Sequence, residues 1–212
     1  MYASDLLTCA GLIDCKIADN LLEPNIKLRP TDGEILPDAT RYRQFVGSLI
    51  YLAVTRPDIA YAVHLISQFM SAPRSIHHAV LFHILRHVKG TLFHGLQFFA
   101  QSSLTLKVYF DTDWARDPTD HQSTTGFLFL LGDSLISWWS KKQNIVARSG
   151  TEAEYQALAN TTLELLWLLQ DVGRDTSPLV SYHLVDIFTK AHLPGGHHSL
   201  VCKLQLASSI PP

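Results

Sequence analysis

Two aspartates at the end of an apolar run, in the stretch YFDTDWA at 109–115, have the type and spacing to do chemistry. Asp is a poor strand residue, so the preceding LTLKV reads as a strand that finishes around Asp111 and Asp113. The nearest cations are Lys107 and Arg116. Carboxylates placed this way form either a solvated turn or half of a metal site. A calcium loop of the EF-hand kind is excluded for DTDWARDPTDHQ, because its sixth position is Arg116 rather than Gly and its twelfth is Gln122 rather than Glu. An aspartic-protease reading fails for want of the D-T/S-G turn.

A second acid stands out further on. Leu158, Thr161, Leu165 and Leu168 form an apolar stripe, and Glu154 lies at its N-terminal end on the same helical face. A carboxylate at the edge of a buried stripe is costly unless paired or metal-bound. The first turn of a helix nevertheless favours acids through its dipole, so periodicity leaves both readings of Glu154 open. Glu152 points elsewhere and is explained by an S-x-x-E capping box with Ser149.

Lys141, Lys142 and Arg148 form a small basic group beside these acids, suited to a phosphate backbone or to an ordinary solvated hairpin end. In an alternating strand Trp138 and Trp139 face opposite sides, so at least one packs in the core while the other is free to stack on nucleic acid. His83 and His87 share i, i+4 spacing, but HILRH lacks the Glu of a zinc protease helix, and a surface or half-buried pair is expected. His77, His78, His197 and His198 lie beside loop-like residues and are expected to face solvent.

Several elements must position these residues. A first short helix precedes residues 20–38, NLLEPNIKLRPTDGEILPD, whose prolines and D-G turn mark an extended connector. In 58–70, Ile59, Val63, Ile66 and Met70 recur at helical spacing after Pro57, and Leu81, Ile84, Leu85 and Val88 repeat the pattern up to a stop at Gly90. From about residue 104 the pattern becomes LTLKVYF, TTGFLFLLG and LISWWS, three strands of an antiparallel meander separated by DPTD and GDS. A helix from Ala153 to Leu169 follows and is expected to lie across the sheet.

The totals bound the function. The chain has 212 residues, 47% of them hydrophobic, enough for a real core. A net charge of -2 excludes the overall basic field of a free-standing nucleic-acid binder. Cys9, Cys15 and Cys202 fit neither a disulfide framework nor a zinc ribbon, which suggests a reducing compartment. Neither a secretory signal nor an apolar run of membrane-spanning length is present, so an intracellular location away from membranes is expected.

YRQFVGSLIYLAVTRPDIAYAVHLISQFMSAPRSIHHAVLFHILRHVKGT, then DTDWARDPTDHQSTTGFLFLLGDSLISWWSKKQNIVARSGTEAEYQALA, then VDIFTKAHLP closely resemble, in order, the C-terminal part of copia-type LTR retrotransposon polyproteins. The resemblance implies an α/β fold: an RNase H-like mixed sheet, truncated to β-β-β-α plus a C-terminal remnant, after a mostly helical thumb- or connection-like segment. The domains it implies are 1–38, an N-terminal helix and connector; 39–100, the helical end of the reverse transcriptase; 104–172, the RNase H-like core; and 173–212, a truncated and poorly ordered tail. It also implies a site for two Mg²⁺ or Mn²⁺ ions that hydrolyse the RNA strand of an RNA–DNA hybrid. Matched by motif, the resemblance implies that the catalytic and metal-binding acids are Asp111, Glu154 and Asp186; Lys141, Lys142 and Arg148 beside them are the expected nucleic-acid contacts. Asp113 carries no metal role. The polymerase palm of an intact element is a further implied partner.

The departures from that family reduce the expected activity. WLLQDVGRDTSPLVSYHLVDIFTK runs from the long helix to the last motif in a few residues, where relatives place a strand ending in an Asp-Asn pair and further elements. Only Asp171 and Asp175 occur in this gap, neither at the end of an apolar strand, so the third acid is absent. The missing strand is expected to leave an edge of the sheet bare. No YxDD-type polymerase motif occurs. Weak or absent nuclease activity is therefore expected, alongside two alternatives: a non-catalytic module binding hybrid or polymerase, and a decayed product with no selected function.

Overall fold

The computed structural model describes residues 2–24, 26–99, 101–103, 105–115, 120–172, 181–184 and 206–208, the last two stretches as backbone only. These fall into two compact units, one holding the helices of the first half and the other the main sheet.

The first unit contains α1 (Tyr2–Cys9), α2 (Thr40–Leu52), a 3₁₀ turn at Pro57–Ile59, α3 (Ala60–Ser67) and α4 (Ser75–Gly90). Strand β1 (His94–Leu96) pairs antiparallel with the late strand β6 (Leu206–Ser208). The apolar spacing read from the sequence sets the buried faces. Ile59, Val63 and Ile66 are buried, and Leu81, Ile84, Leu85 and Val88 are wholly inaccessible. On α2 the buried residues Tyr42, Phe45, Val46, Leu49 and Leu52 follow the same helical repeat. Burial raises the Tyr42 phenol far above its ordinary pKa, while its hydroxyl donates to the Ile66 carbonyl at 2.7 Å.

Arg56 and Asp58 of the TRPD motif form a buried fork. Arg56 Nε and Nη2 donate to both Asp58 oxygens at 2.8 and 2.7 Å, and Nη1 reaches the Thr91 carbonyl at 2.7 Å. The guanidinium thereby joins the start of α3 to the end of α4 and leaves neither buried charge uncompensated.

The connector is not a free-running link. Leu21, Leu22 and Leu28 are buried with the helices, and three histidines of α4 hold the preceding chain. His83 Nε2 lies 2.9 Å from the Asn20 carbonyl, and His87 Nδ1 lies 3.1 Å from that of Ala18. His77, expected at the surface, is fully buried and stacks on Phe69 at a centroid distance of 3.9 Å. The Arg74 N–H donates to His77 Nδ1 at 3.1 Å, which leaves the Nε2 proton for the Arg29 carbonyl at 3.1 Å. Both ring nitrogens are used, which explains a polar ring in the core. His197 and His198 lie outside the described residues.

The second unit has an antiparallel meander of β2 (Leu106–Asp113), β3 (Thr124–Leu131) and β4 (Ser134–Lys142), followed by α5 (Gly150–Val172). This is the expected mixed α/β order of three strands and a helix. Strand β5 (Ser181–Leu184) then pairs parallel with β2, Lys107 opposite Ser181 and Phe110 opposite Leu184, giving the order β4-β3-β2-β5. The expectation of a bare sheet edge here is thus corrected. A four-residue strand, too short to carry a period of its own, lies on that edge, and α5 supplies the crossover that a parallel pair requires. The rest of the tail after 173, expected to be poorly ordered, lies outside the described residues.

One face of the sheet packs on α5. Leu106, Val108, Phe110, Phe127 and Phe129 meet Ala157 and Leu165, with Trp139 half-buried against Phe127 at 5.6 Å. The stripe that α5 buries is Ala153, Ala157, Thr161 and Leu165, each four residues after the last. Buried Thr161 donates its hydroxyl to the Ala157 carbonyl at 2.7 Å, so its polarity is accommodated within the helix.

Candidate functional site

Asp111 lies on β2, a strand with neighbours on both sides, opposite Gly126 of β3, and is 5% exposed. A side chain alternates across the sheet with its neighbours, so Asp111 projects from the face opposite Phe110 and Thr112, which face α5. Asp113 ends the strand opposite Thr124 and is half-buried. The chain then turns sharply, with Ala115 at φ 49°, a left-handed conformation unusual for alanine. Two hydrogen bonds hold this turn. The Ala115 N–H donates to Ser123 Oγ at 3.2 Å, and Trp114 Nε1 donates to the Ala147 carbonyl at 3.0 Å.

The first turn of α5 is capped as its sequence predicts. The Glu152 N–H donates to Ser149 Oγ at 3.2 Å, while Glu152 Oε2 accepts from the Arg148 N–H at 2.7 Å, one residue earlier than a standard capping box. Glu154 is exposed. The expectation that it shares the core-facing stripe is corrected, because the buried row begins at Ala153, one position or about 100° round the helix.

Gln143, the last residue of SKKQ, links these parts. It is 5% exposed, and its Nε2 lies 2.9 Å from Thr125 Oγ1, 3.0 Å from the Ala153 carbonyl and 3.4 Å from Thr112 Oγ1. A single nitrogen thus touches the residue after Asp111 and the residue before Glu154. Sequence reasoning passed over Gln143, although SKKQ was among the motifs that carried the resemblance.

The three basic residues do not form one patch. Lys141 and Lys142 are adjacent in β4 and point to opposite faces. The Lys141 ammonium sits 5.2 Å from the centre of the Trp139 ring, and Lys142 pairs with Asp120 at 2.7 Å. Arg148 is exposed beside the start of α5.

Asp111 and Glu154 are oxygen donors of the kind a hard divalent ion takes. Among the described residues, however, no group of three His, Cys, Asp or Glu is placed to hold a metal, and Asp186 lies outside them. The described residues thus include two of the three acids matched by motif, both of a type that fits a hard divalent ion.

Comparison with known proteins decides the family. The chain is 46% identical over 185 residues to the retrovirus-related Pol polyprotein from transposon RE1 of Arabidopsis thaliana, covering 85% of this chain. It is 43% identical over 145 residues, 66% of this chain, to the corresponding polyprotein from transposon TNT 1-94 of Nicotiana tabacum. It is also 42% identical to an uncharacterized mitochondrial protein of Arabidopsis thaliana, across 84% of this chain and 74% of that protein. The chain belongs to the Pol polyprotein family of copia-type retrotransposons. It spans 13% of the RE1 Pol polyprotein and 11% of that from TNT 1-94. No family model matches this Pol-derived chain, and no solved structure matches it. Among its described residues no helix is long and apolar enough to cross a membrane.

Proposed function

We propose that the second unit is an RNase H-like remnant of Pol. Its ancestral activity is metal-dependent hydrolysis of RNA in RNA–DNA hybrids, and that activity is impaired in this chain. The observation that carries the reading is Asp111, buried on a strand flanked by neighbours, with Gln143 linking the next residue of that strand, Thr112, to Ala153 in the helical turn that bears Glu154. The strand order β4-β3-β2-β5 with a helical crossover supports it, as does the resemblance of the DTDW and TEAEY motifs to the family. Mg²⁺ or Mn²⁺ bound by Asp111, Glu154 and Asp186 would supply the Lewis acid and the activated water. The chain's own contribution is to hold the first two acids on rigid elements. Impairment follows from the sequence, since WLLQDVGRDTSPLVSYHLVDIFTK lacks the Asp-Asn strand end that relatives place between the long helix and the last motif.

A hybrid-cleavage assay with Mg²⁺ or Mn²⁺ tests the reading. Little or no cleavage is expected, and robust cleavage abolished by Asp111→Asn would show the site to be intact. A second reading is hybrid binding without catalysis, in which Lys141, Lys142 and Arg148 contact the phosphate backbone. The exposed position of Lys141 and Arg148 favours it. Reversing charge at Lys141 and Lys142 should then weaken hybrid affinity and flatten its salt dependence. Unchanged affinity and salt slope would remove this reading. Docking on the palm of an intact element's reverse transcriptase is the third role proposed, measurable by co-purification with that palm.

A further inference from the structure

We infer that Gln143 is a positioning residue that sets where the Glu154-bearing turn of α5 stands relative to the Asp111-bearing strand; its catalytic relevance rests on the function proposed above. The amide is a crosspiece with one working end. Its Nε2 carries two protons and faces three oxygens, on β2, β3 and α5. The Ala153 carbonyl can only accept, which fixes the nitrogen and not the oxygen on that side. Gln143 Oε1 is buried and accepts from no group among the described residues, so it does not orient the amide.

The surroundings lock the crosspiece in place. The Gln143 N–H donates to the Ser123 carbonyl at 2.8 Å, fixing the backbone at the end of β4. Ser123 is fully buried, and its hydroxyl accepts from Ala115 in the turn after Asp113. Thr125 is also buried. The Gln143 side chain therefore emerges from a fixed point and ends on a fixed point. Such a bond resists a slide of α5 along the sheet, the motion that would shift the turn bearing Glu154 relative to the end of β2. Residues that orient ligands from behind in this way commonly alter metal affinity without touching the ion.

Two substitutions separate positioning from simple packing. Gln143→Met keeps the length and removes every hydrogen bond. Gln143→Glu keeps the shape but sets an acceptor against the Ala153 carbonyl, while the two threonine hydroxyls can still rotate to donate. In the full chain, nuclear Overhauser contacts between Thr112 and Ala153 should be present in the wild type, weakened in both variants and accompanied by an otherwise unchanged pattern for β2–β4. Mn²⁺ binding, followed by electron paramagnetic resonance, should weaken about tenfold in Gln143→Met. A core variant, Leu165→Ala, controls for lost stability and should leave Mn²⁺ affinity within about twofold at a temperature where it remains folded, since it removes no group next to the ligands.

Thr112–Ala153 contacts that persist in both Gln143 variants would overturn the positioning role whatever the metal does. Mn²⁺ affinity unchanged by Gln143→Met but lost in Asp111→Asn would overturn its link to the site and leave the proposed function standing. Mn²⁺ affinity indifferent to Asp111→Asn and Glu154→Gln would defeat the proposed function, and the Overhauser contacts alone would then decide the role of Gln143. Should Gln143→Met fail to fold, Gln143→Glu carries the Overhauser comparison, which alone then decides the positioning role.

Discussion

Single side chains with buried polar partners carry much of the specificity of the first unit, and their removal has calculable effects. Arg56 is 3% exposed and forks onto Asp58. Arg56→Ala removes the forked charge partner of the buried Asp58 carboxylate, and about 3–5 kcal/mol of stability should be lost in denaturant unfolding. His77 gives a pH dependence of definite sign. Its burial lowers its pKa below the usual histidine value, because the charged ring would lose solvation and the lone pair that accepts from Arg74. The unfolded chain therefore binds the proton more readily. The stability contributed is fully present above the unfolded pKa of about 6.5 and is lost as pH falls below it toward the depressed folded value. Unfolding midpoints for the first unit should drop between pH 7 and pH 5.5, and His77→Gln should flatten the part of that slope due to His77.

At the level of elements, the apolar periodicities of α3 and α4 were legible in the sequence because burial of whole turns imposes a period on residue type. Ile59, Val63, Ile66, Leu81, Ile84, Leu85 and Val88 needed no more than spacing to be placed in the core. The three β runs of the meander were readable for the same reason. The histidines were not, because their partners are backbone carbonyls of a connector far away in the chain, and a carbonyl leaves no mark on composition. Glu154 was misplaced by one position because the buried row of α5 begins with Ala153 and Ala157, small residues that any surface also tolerates. Asp111 and Glu154, by contrast, were singled out by their places at a strand end and along a helix, and a metal role for them rests on the motif resemblance alone. A hairpin detail yields a further test. Gly132 has φ 60°, and a Cβ there would come within 2.4 Å of the Ser103 carbonyl and 2.0 Å of Ser102 Oγ. Gly132→Ala should destabilise the second unit by more than the roughly 1–2 kcal/mol of the left-handed conformation alone, as seen by chemical denaturation. Connector anchoring is testable at this scale as well. A double His83→Ala, His87→Ala variant should be cut faster by protease within residues 15–24, with the helices themselves no more susceptible.

Across the whole molecule, each unit has its own apolar core. Leu85→Ala should cost the first unit about 2–5 kcal/mol while leaving amide-exchange protection in β2–β4 unchanged. Equal loss of protection in both units would show that they unfold as one. The parallel pairing of β2 with β5 has a different consequence, one of timing. β2, β3 and β4 are joined by local turns and can assemble early, whereas Lys107–Phe110 must wait for the whole of α5 before Ser181–Leu184 arrives. In that interval the outer edge of β2 offers unpaired backbone groups to any other chain, with Lys107 as the nearest charge to discourage pairing. Refolding yield should therefore fall as protein concentration rises, even where the native chain stays dispersed.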